Sequence, residues 1–313
     1  MNGPRRPPGP SARRRCAAAL LAVAIVAVAS ERPAAAQDAF EIQVYESDTA
    51  APRESGLEFH YNTNIIGRKQ ADEDGRPPTH HVTHLTLEPH LGLTPWAEVG
   101  FYVQTAVRPD GQFDYAGVKV RFKARLPRRY SGFGFALNLE VSSIPSAYEN
   151  PWGSEVRPVI DVHAGRFYAS INPIVTLDLS GPLALRPQLE PCARVLVGVG
   201  GGVDLGAEYY AALGPISAID PPARQVHRLF AVLERAFPVG RVTFTAHLGA
   251  GYGLAAGEQF IAKAILGVDF DRGALPAPPP SGEARRSLPP TARGPRETEA
   301  ETSTATLDEQ RRD

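Results

Sequence analysis

The sequence predicts an all-β chain: a roughly 12-stranded antiparallel transmembrane β-barrel, with an N-terminal signal peptide and a disordered C-terminal tail. Three observations point there: the length of the strands, the residue types that alternate along them, and the sorting of loop lengths by parity. Strand patterns fall near 57–66, 80–91, 96–107, 114–125, 133–144, 155–165, 167–179, 185–197, 203–213, 225–236, 241–252 and 259–270. They run to about 10–13 residues, whereas globular strands average about 5–6 and membrane-crossing strands need about 9–11.

Alternation is clearest around the hairpin Leu85 to Gln104. Its first arm sets His84, Thr86, Glu88 and His90 against Leu85, Leu87 and Leu91; its second sets Glu98, Tyr102 and Gln104 against Val99, Phe101 and Val103. A period of two puts each set on its own face, and Gly92 and Pro95 supply the turn. The same dyads recur later. Val118, Val120, Phe122, Ala124 and Leu126 oppose Lys119, Arg121, Lys123 and Arg125, and Phe260 to Phe270 carries one continuous apolar face. Such segments mark an outer-membrane barrel. A soluble β-sandwich or a lipocalin-like binding protein also alternates, with the apolar face inward, so loop parity decides. Odd connections near 67–79, 145–154 and 214–224 reach about ten residues or more, and no even one does. Outer-membrane barrels keep short periplasmic turns and longer external loops.

The ends differ from the middle. Residues 1–36 carry six arginines against Glu31, then the apolar run Ala17 to Ala29, then Ala34-Ala35-Ala36 as an A-x-A cleavage site. This is a signal peptide, too short in its apolar part for a membrane span. Subtracting its net +5 from the chain's −1 leaves −6, and no sustained basic patch suggests nucleic acid. Cys16 lies in the leader, so Cys192 is the one thiol after it and a Cys–His metal cluster is excluded. Residues 37–55 form an N-terminal arm whose FEIQVY stretch fits a short strand, a periplasmic arm or a piece folded into the lumen. The barrel takes 56–270. The tail, 271–313, is rich in Pro, Glu, Arg, Ser and Thr and too poor in large apolar residues to order itself.

The hairpin Gly92 to Tyr102 (GLTPWAEVGFY) and the closing pair Gly249 to Gly267 resemble an outer-membrane β-barrel transporter family grouped with the meta-pathway of phenol degradation. The resemblance spans about residues 40–270 and implies location and architecture more than a solute. It also implies handling by the barrel assembly machinery, whose signal is a last strand with polar, apolar and aromatic positions. Lys263, Val268 and Phe270 match these, and Ile265 stands where glycine is expected.

In a barrel the polar faces line the lumen: Glu58, His60, His84, Glu88, His90, Glu98, Lys119, Arg121, Lys123, Arg125, Glu140, Asp161, His163, Arg186 and Glu190, with Arg157, Arg194, Asp204 and Glu208 further round. The basic row 119–125 lies between strands carrying Glu98 and Glu140, and opposite charges on neighbouring strands attract. This is a structural charge ladder or a selective constriction. His60, His84, Glu88 and His90 are of the types that suit a transition metal, but polar lumen histidines are the plainer reading, and no metal or cofactor is assigned. Asp161 with His163, and Glu58 with His60, are spaced for catalysis, yet no serine has a G-x-S-x-G context. The expected function is a passive channel or transporter for a small solute through a narrow charged lumen, surrounded by outer-membrane lipid. The alternatives are the soluble binding protein and an outer-membrane enzyme.

Overall fold

A computed structural model of the chain describes residues 38–71, 77–145, 148, 152–180, 184–255 and 259–270. The expected signal peptide and tail lie outside them. The strands are β1 (Ser55–Ile66), β2 (Thr83–Thr94), β3 (Ala97–Val107), β4 (Phe113–Arg125), β5 (Phe133–Ser143) and β6 (Trp152–Ala164). They continue as β7 (Phe167–Asn172 and Val175–Asp178), β8 (Gln188–Leu189 and Cys192–Gly200), β9 (Val203–Ala212), β10 (Val226–Val239), β11 (Val242–Ala255) and β12 (Phe260–Phe270).

Each strand pairs antiparallel with its sequence neighbours, and β12 pairs with β1 from Ser55↔Phe270 to Ile66↔Phe260. The wall is therefore a closed 12-stranded barrel. β7 and β8 are broken side by side at Pro173 and Pro191, which have no N–H for the ladder; Glu190 N–H donates to Ile174 O at 2.9 Å across the break. β2 begins at Thr83 rather than 80 because His81 takes a left-handed backbone, φ 60°, which a strand cannot continue through.

The faces are sorted as lipid demands. On β5, Leu137, Leu139 and Val141 are exposed while Asn138 and Glu140 are buried. β4 exposes Val120 and Phe122 and buries Lys119, Arg121 and Lys123; β2 exposes Leu87 and Leu91 and buries Thr86 and Glu88. A soluble sandwich or lipocalin-like fold would reverse this, so that alternative is overturned. Trp96, Tyr130, Phe167 and Phe237 near one end of the strands, and Tyr115, Trp152 and Tyr209 near the other, are also exposed, as girdle aromatics should be.

Connections sort by parity. Four of the five even ones are two residues long: 95–96, 165–166, 201–202 and 240–241. At 201–202 both glycines have positive φ, 64° and 74°, the backbone of a type I′ hairpin turn that fits the strands' twist. The odd ones include 67–82 and 213–225.

Candidate functional site: a charged lumen filled by the N-terminal arm

The residues before β1 settle the ambiguity left by FEIQVY. They run through the lumen. Phe40 packs near the odd-loop end with Val82, Ala106 and Ala116, its ring edge-on to His84 at 4.6 Å. Ile42 and Val44 join Tyr168, Ile174, Cys192, Leu196, Tyr210, Phe230, Val232 and Ile261 in an apolar cluster midway. Asp48 then reaches Arg125 at 3.3 Å and Arg129 at 3.2 Å at the even-turn end, after which the chain turns into β1. Asp38, the first described residue, consequently sits toward the odd-loop end of the barrel, where it meets Lys119.

No strand pairs with this arm over 39–50. Wall side chains satisfy its backbone instead. Asn172 Oδ1 accepts from Tyr45 N–H at 2.7 Å, Asp161 Oδ2 from Ser47 N–H at 2.6 Å, and Glu98 Oε2 from Ala50 N–H at 2.6 Å. In return Asn62 donates to Ala39 O, Thr86 to Phe40 O, Lys263 to Ile42 O, Ser170 to Tyr45 O and Lys123 to Asp48 O. Buried peptide groups without partners are costly, so polar side chains on the wall are what permit an arm without a ladder.

The arm's side chains face two different walls. Ile42 and Val44 meet the apolar patch of β7–β12. Tyr45 meets the charged wall: its hydroxyl contacts Glu41, lies 2.6 Å from Tyr102 Oη and donates to Glu140 at 3.3 Å. The Arg157 guanidinium sits 4.1 Å from the Tyr45 ring centroid, within cation–π range.

The basic row proves to be paired. Lys119 binds Asp38 of the arm. Arg121 Nη2 lies 2.8 Å from Glu88 and 3.2 Å from Glu98, and Lys123 Nζ 3.7 Å from Glu98. Arg157 holds Glu155 at 2.5 Å. These are the contacts of a charge ladder that also clamps the arm.

Other sequence-derived positions fall as follows. His60 Nε2 lies 3.1 Å from Glu88 Oε2 and 3.4 Å from Glu58 Oε2. His90 is drawn off to Asp269 at 3.1 Å, and His84 to Phe40. Glu190, on the break in β8, is buried and accepts from Thr176 at 3.3 Å. Asp161 is taken by Ser47 and by Arg129 at 2.6 Å, and the His163 ring lies tilted against Tyr168 with centroids 4.6 Å apart. Arg186 is a correction. It is exposed in the 179–187 connection, because Leu185 is left-handed (φ 60°) and Pro187 follows, so the strand starts only at Gln188.

Sequence reasoning missed a second charged centre. Lys263 binds Glu208 and lies 3.0 Å from Tyr210 Oη, while His247 lies 3.3 Å from Glu208 and 3.0 Å from Glu234. The signal was Lys263 itself, a basic residue flanked on both sides by apolar ones in the last strand. Outside the strands, Tyr148 packs on Phe40, and burial with the Asp114 carboxylate pushes its phenol up to about 12.

No protein-family model matches the chain, and no curated protein matches its sequence. Among solved structures it is similar to an outer-membrane channel from Pseudomonas putida F1, at 10% identity and a TM-score of 0.50, over 74% of this chain and 99% of that one. It is also similar to the NanC porin (9% identity, TM-score 0.45, 69% and 99% covered) and the KdgM porin (8%, 0.44, 69% and 98%). At 10% identity the first likeness shows the fold alone, a closed antiparallel β-barrel.

Proposed function

We propose that the chain is a passive channel for a small solute in the outer membrane of a Gram-negative bacterium, with its own N-terminal arm as the constriction. The observation that carries this reading is the arm: it runs the length of the lumen, and wall side chains hold it by its backbone rather than by a strand ladder. Twelve strands give an interior between the filled eight-stranded barrels and the open sixteen-stranded porins, so one extended segment is enough to narrow it. The exposed apolar belt faces lipid, and insertion requires the barrel assembly machinery. The reading agrees with the resemblance of the Gly92–Tyr102 hairpin to the transporters grouped with the meta-pathway of phenol degradation. No catalytic step is assigned.

Single-channel recording in planar bilayers tests it. The whole protein should give small, resolved steps, and removal of residues 38–50 should give larger ones. Silence from both proteins, or equal conductance, would refute the arm-constricted channel.

A further inference from the structure

Glu58, His60 and Glu88 form a compact group at the edge of the charge ladder. Glu58 and His60 are two apart on β1 and share its inner face, and Glu88 of β2 is paired directly opposite Glu58. Like charges directly opposed across an antiparallel pair repel, so this register calls for a cation between them. His60 Nε2 is aimed at both carboxylates, at 3.1 Å and 3.4 Å, and one nitrogen or oxygen from each residue lies within 4.8 Å of the others.

We propose that these three side chains form a binding site for a divalent transition-metal ion of the zinc class. Zinc takes nitrogen at about 2.0–2.1 Å and carboxylate oxygen at about 2.0–2.2 Å in tetrahedral geometry, which sets neighbouring donors roughly 3.3–3.5 Å apart. The two His60 separations are already close to that edge length, and rotating the Glu58 side chain closes the third. Mixed imidazole and carboxylate is the donor set of zinc and its neighbours rather than of calcium or magnesium.

The surroundings suit the role. Arg121 Nη2 binds Glu88 through Oε1, leaving Oε2 turned toward His60. Hydrogen-bonded ligating carboxylates are the rule in metal sites. The positive charge of Arg121 is offset by its second partner, Glu98, at 3.2 Å, so the Glu58 and Glu88 carboxylates can balance a divalent ion. Gln43 of the arm donates to Glu58 Oε2 at 3.5 Å. His60 is fully buried while the Glu58 side chain keeps 26% of its exposure, so an ion has a way in past Glu58. With three protein donors the fourth position is left to water or a passing ligand.

The competing arrangement is an imidazolium ion bridging two carboxylates with no metal at all. Chelator-treated whole protein in detergent micelles, titrated calorimetrically with zinc chloride and spectroscopically with cobalt(II), separates the two. The expected result is one ion bound per chain, with the intense visible bands of tetrahedral cobalt. Glu58→Gln and His60→Gln should each weaken binding by more than the roughly 10–100-fold that loss of a hydrogen-bonding partner to a ligand costs. Both variants are checked for a folded barrel by heat-modifiable gel migration; if His60→Gln fails to fold, the partly exposed Glu58 carries the test alone. His80 and His81, with ring centroids 3.9 Å apart in the 67–82 connection, are the obvious decoy, and His80→Ala/His81→Ala should leave binding intact. Zinc held equally by the folded variants and the unchanged protein, or lost in the loop variant, would overturn the assignment.

Discussion

Tyr45→Ala should loosen the arm, and the protein contains its own reporter. The Tyr45 side chain is buried, its hydroxyl lies among Glu41, Tyr102 and Glu140, and its ring lies against Arg157. The neighbouring arm residues Val44 and Ile42 pack in one buried cluster with Cys192, a free cysteine whose Sγ lies 3.7 Å from the Asn172 oxygen that also holds Tyr45 N–H. Truncating a buried aromatic to alanine costs about 3–5 kcal/mol in a dry core. Water can enter this lumen once the ring is gone, which argues for the lower end, about 3 kcal/mol. If thiol labelling proceeds through a rapidly undocking arm, its rate follows the undocked population, and about 1.4 kcal/mol is tenfold. The labelling of Cys192 by a small maleimide in folded, detergent-solubilised protein should therefore accelerate on the order of a hundredfold. Tyr45→Phe, which keeps the ring, should fall between. A Tyr45→Ala rate within threefold of the unchanged protein would refute the idea that the arm shields the lumen through this anchor.

Three further outcomes follow from other parts of the wall. Asp48→Asn weakens partly exposed ion pairs with Arg125 and Arg129 at the even-turn mouth, where solvent screening keeps each to about 0.2–1 kcal/mol, so Cys192 labelling should rise no more than a few-fold. Leu139→Arg places a charge on the lipid face and should destabilise the vesicle-inserted barrel by about 2–4 kcal/mol, read as a lower urea midpoint, whereas Leu139→Ile should be close to neutral by the same assay. Gly251 lies under the Phe230 ring, where an added Cβ would overlap the ring atoms. Gly251→Ala should thus cost about 1–3 kcal/mol through overpacking, read as a lower temperature for the heat-modifiable gel shift.

The wall was legible in the sequence because its information is local. Val120 and Phe122 against Lys119, Arg121 and Lys123 already state a period of two, and two-residue turns at Gly165, Gly201 and Gly240 mark where each strand reverses. The barrel reading needed only strand length and loop parity to tell which face goes outward. The arm was not legible. Phe40, Ile42 and Val44 alternate with Glu41, Gln43 and Tyr45 just as a strand does, and nothing nearby says that the partners are Asn172, Asp161 and Lys263 side chains. Partner choice within the lumen was hidden for a similar reason. Glu58, His60, His84, Glu88 and His90 could all be placed on one inner surface, but only the register of β1 against β2, Glu58↔Glu88, gathers the first, second and fourth. Arg186 failed on backbone geometry, since alternation was carried through a left-handed Leu185.

The position of the arm also bears on the order of assembly. The pairing of β1 with β12 along Ser55↔Phe270 joins the two sequence ends of the barrel, so of all the strand pairings it closes the longest loop and carries the largest closure entropy. The arm precedes β1, on the edge of that seam. While the wall is still an open, curling sheet, Asn62 and Thr86 on β1 and β2 can already grip Ala39 and Phe40. Lys263, on the opposite lip, reaches Ile42 O only as the edges meet. The arm can then act as a mandrel: the sheet rolls around a segment it already holds, and the final zipping of the seam completes the grip from the other side.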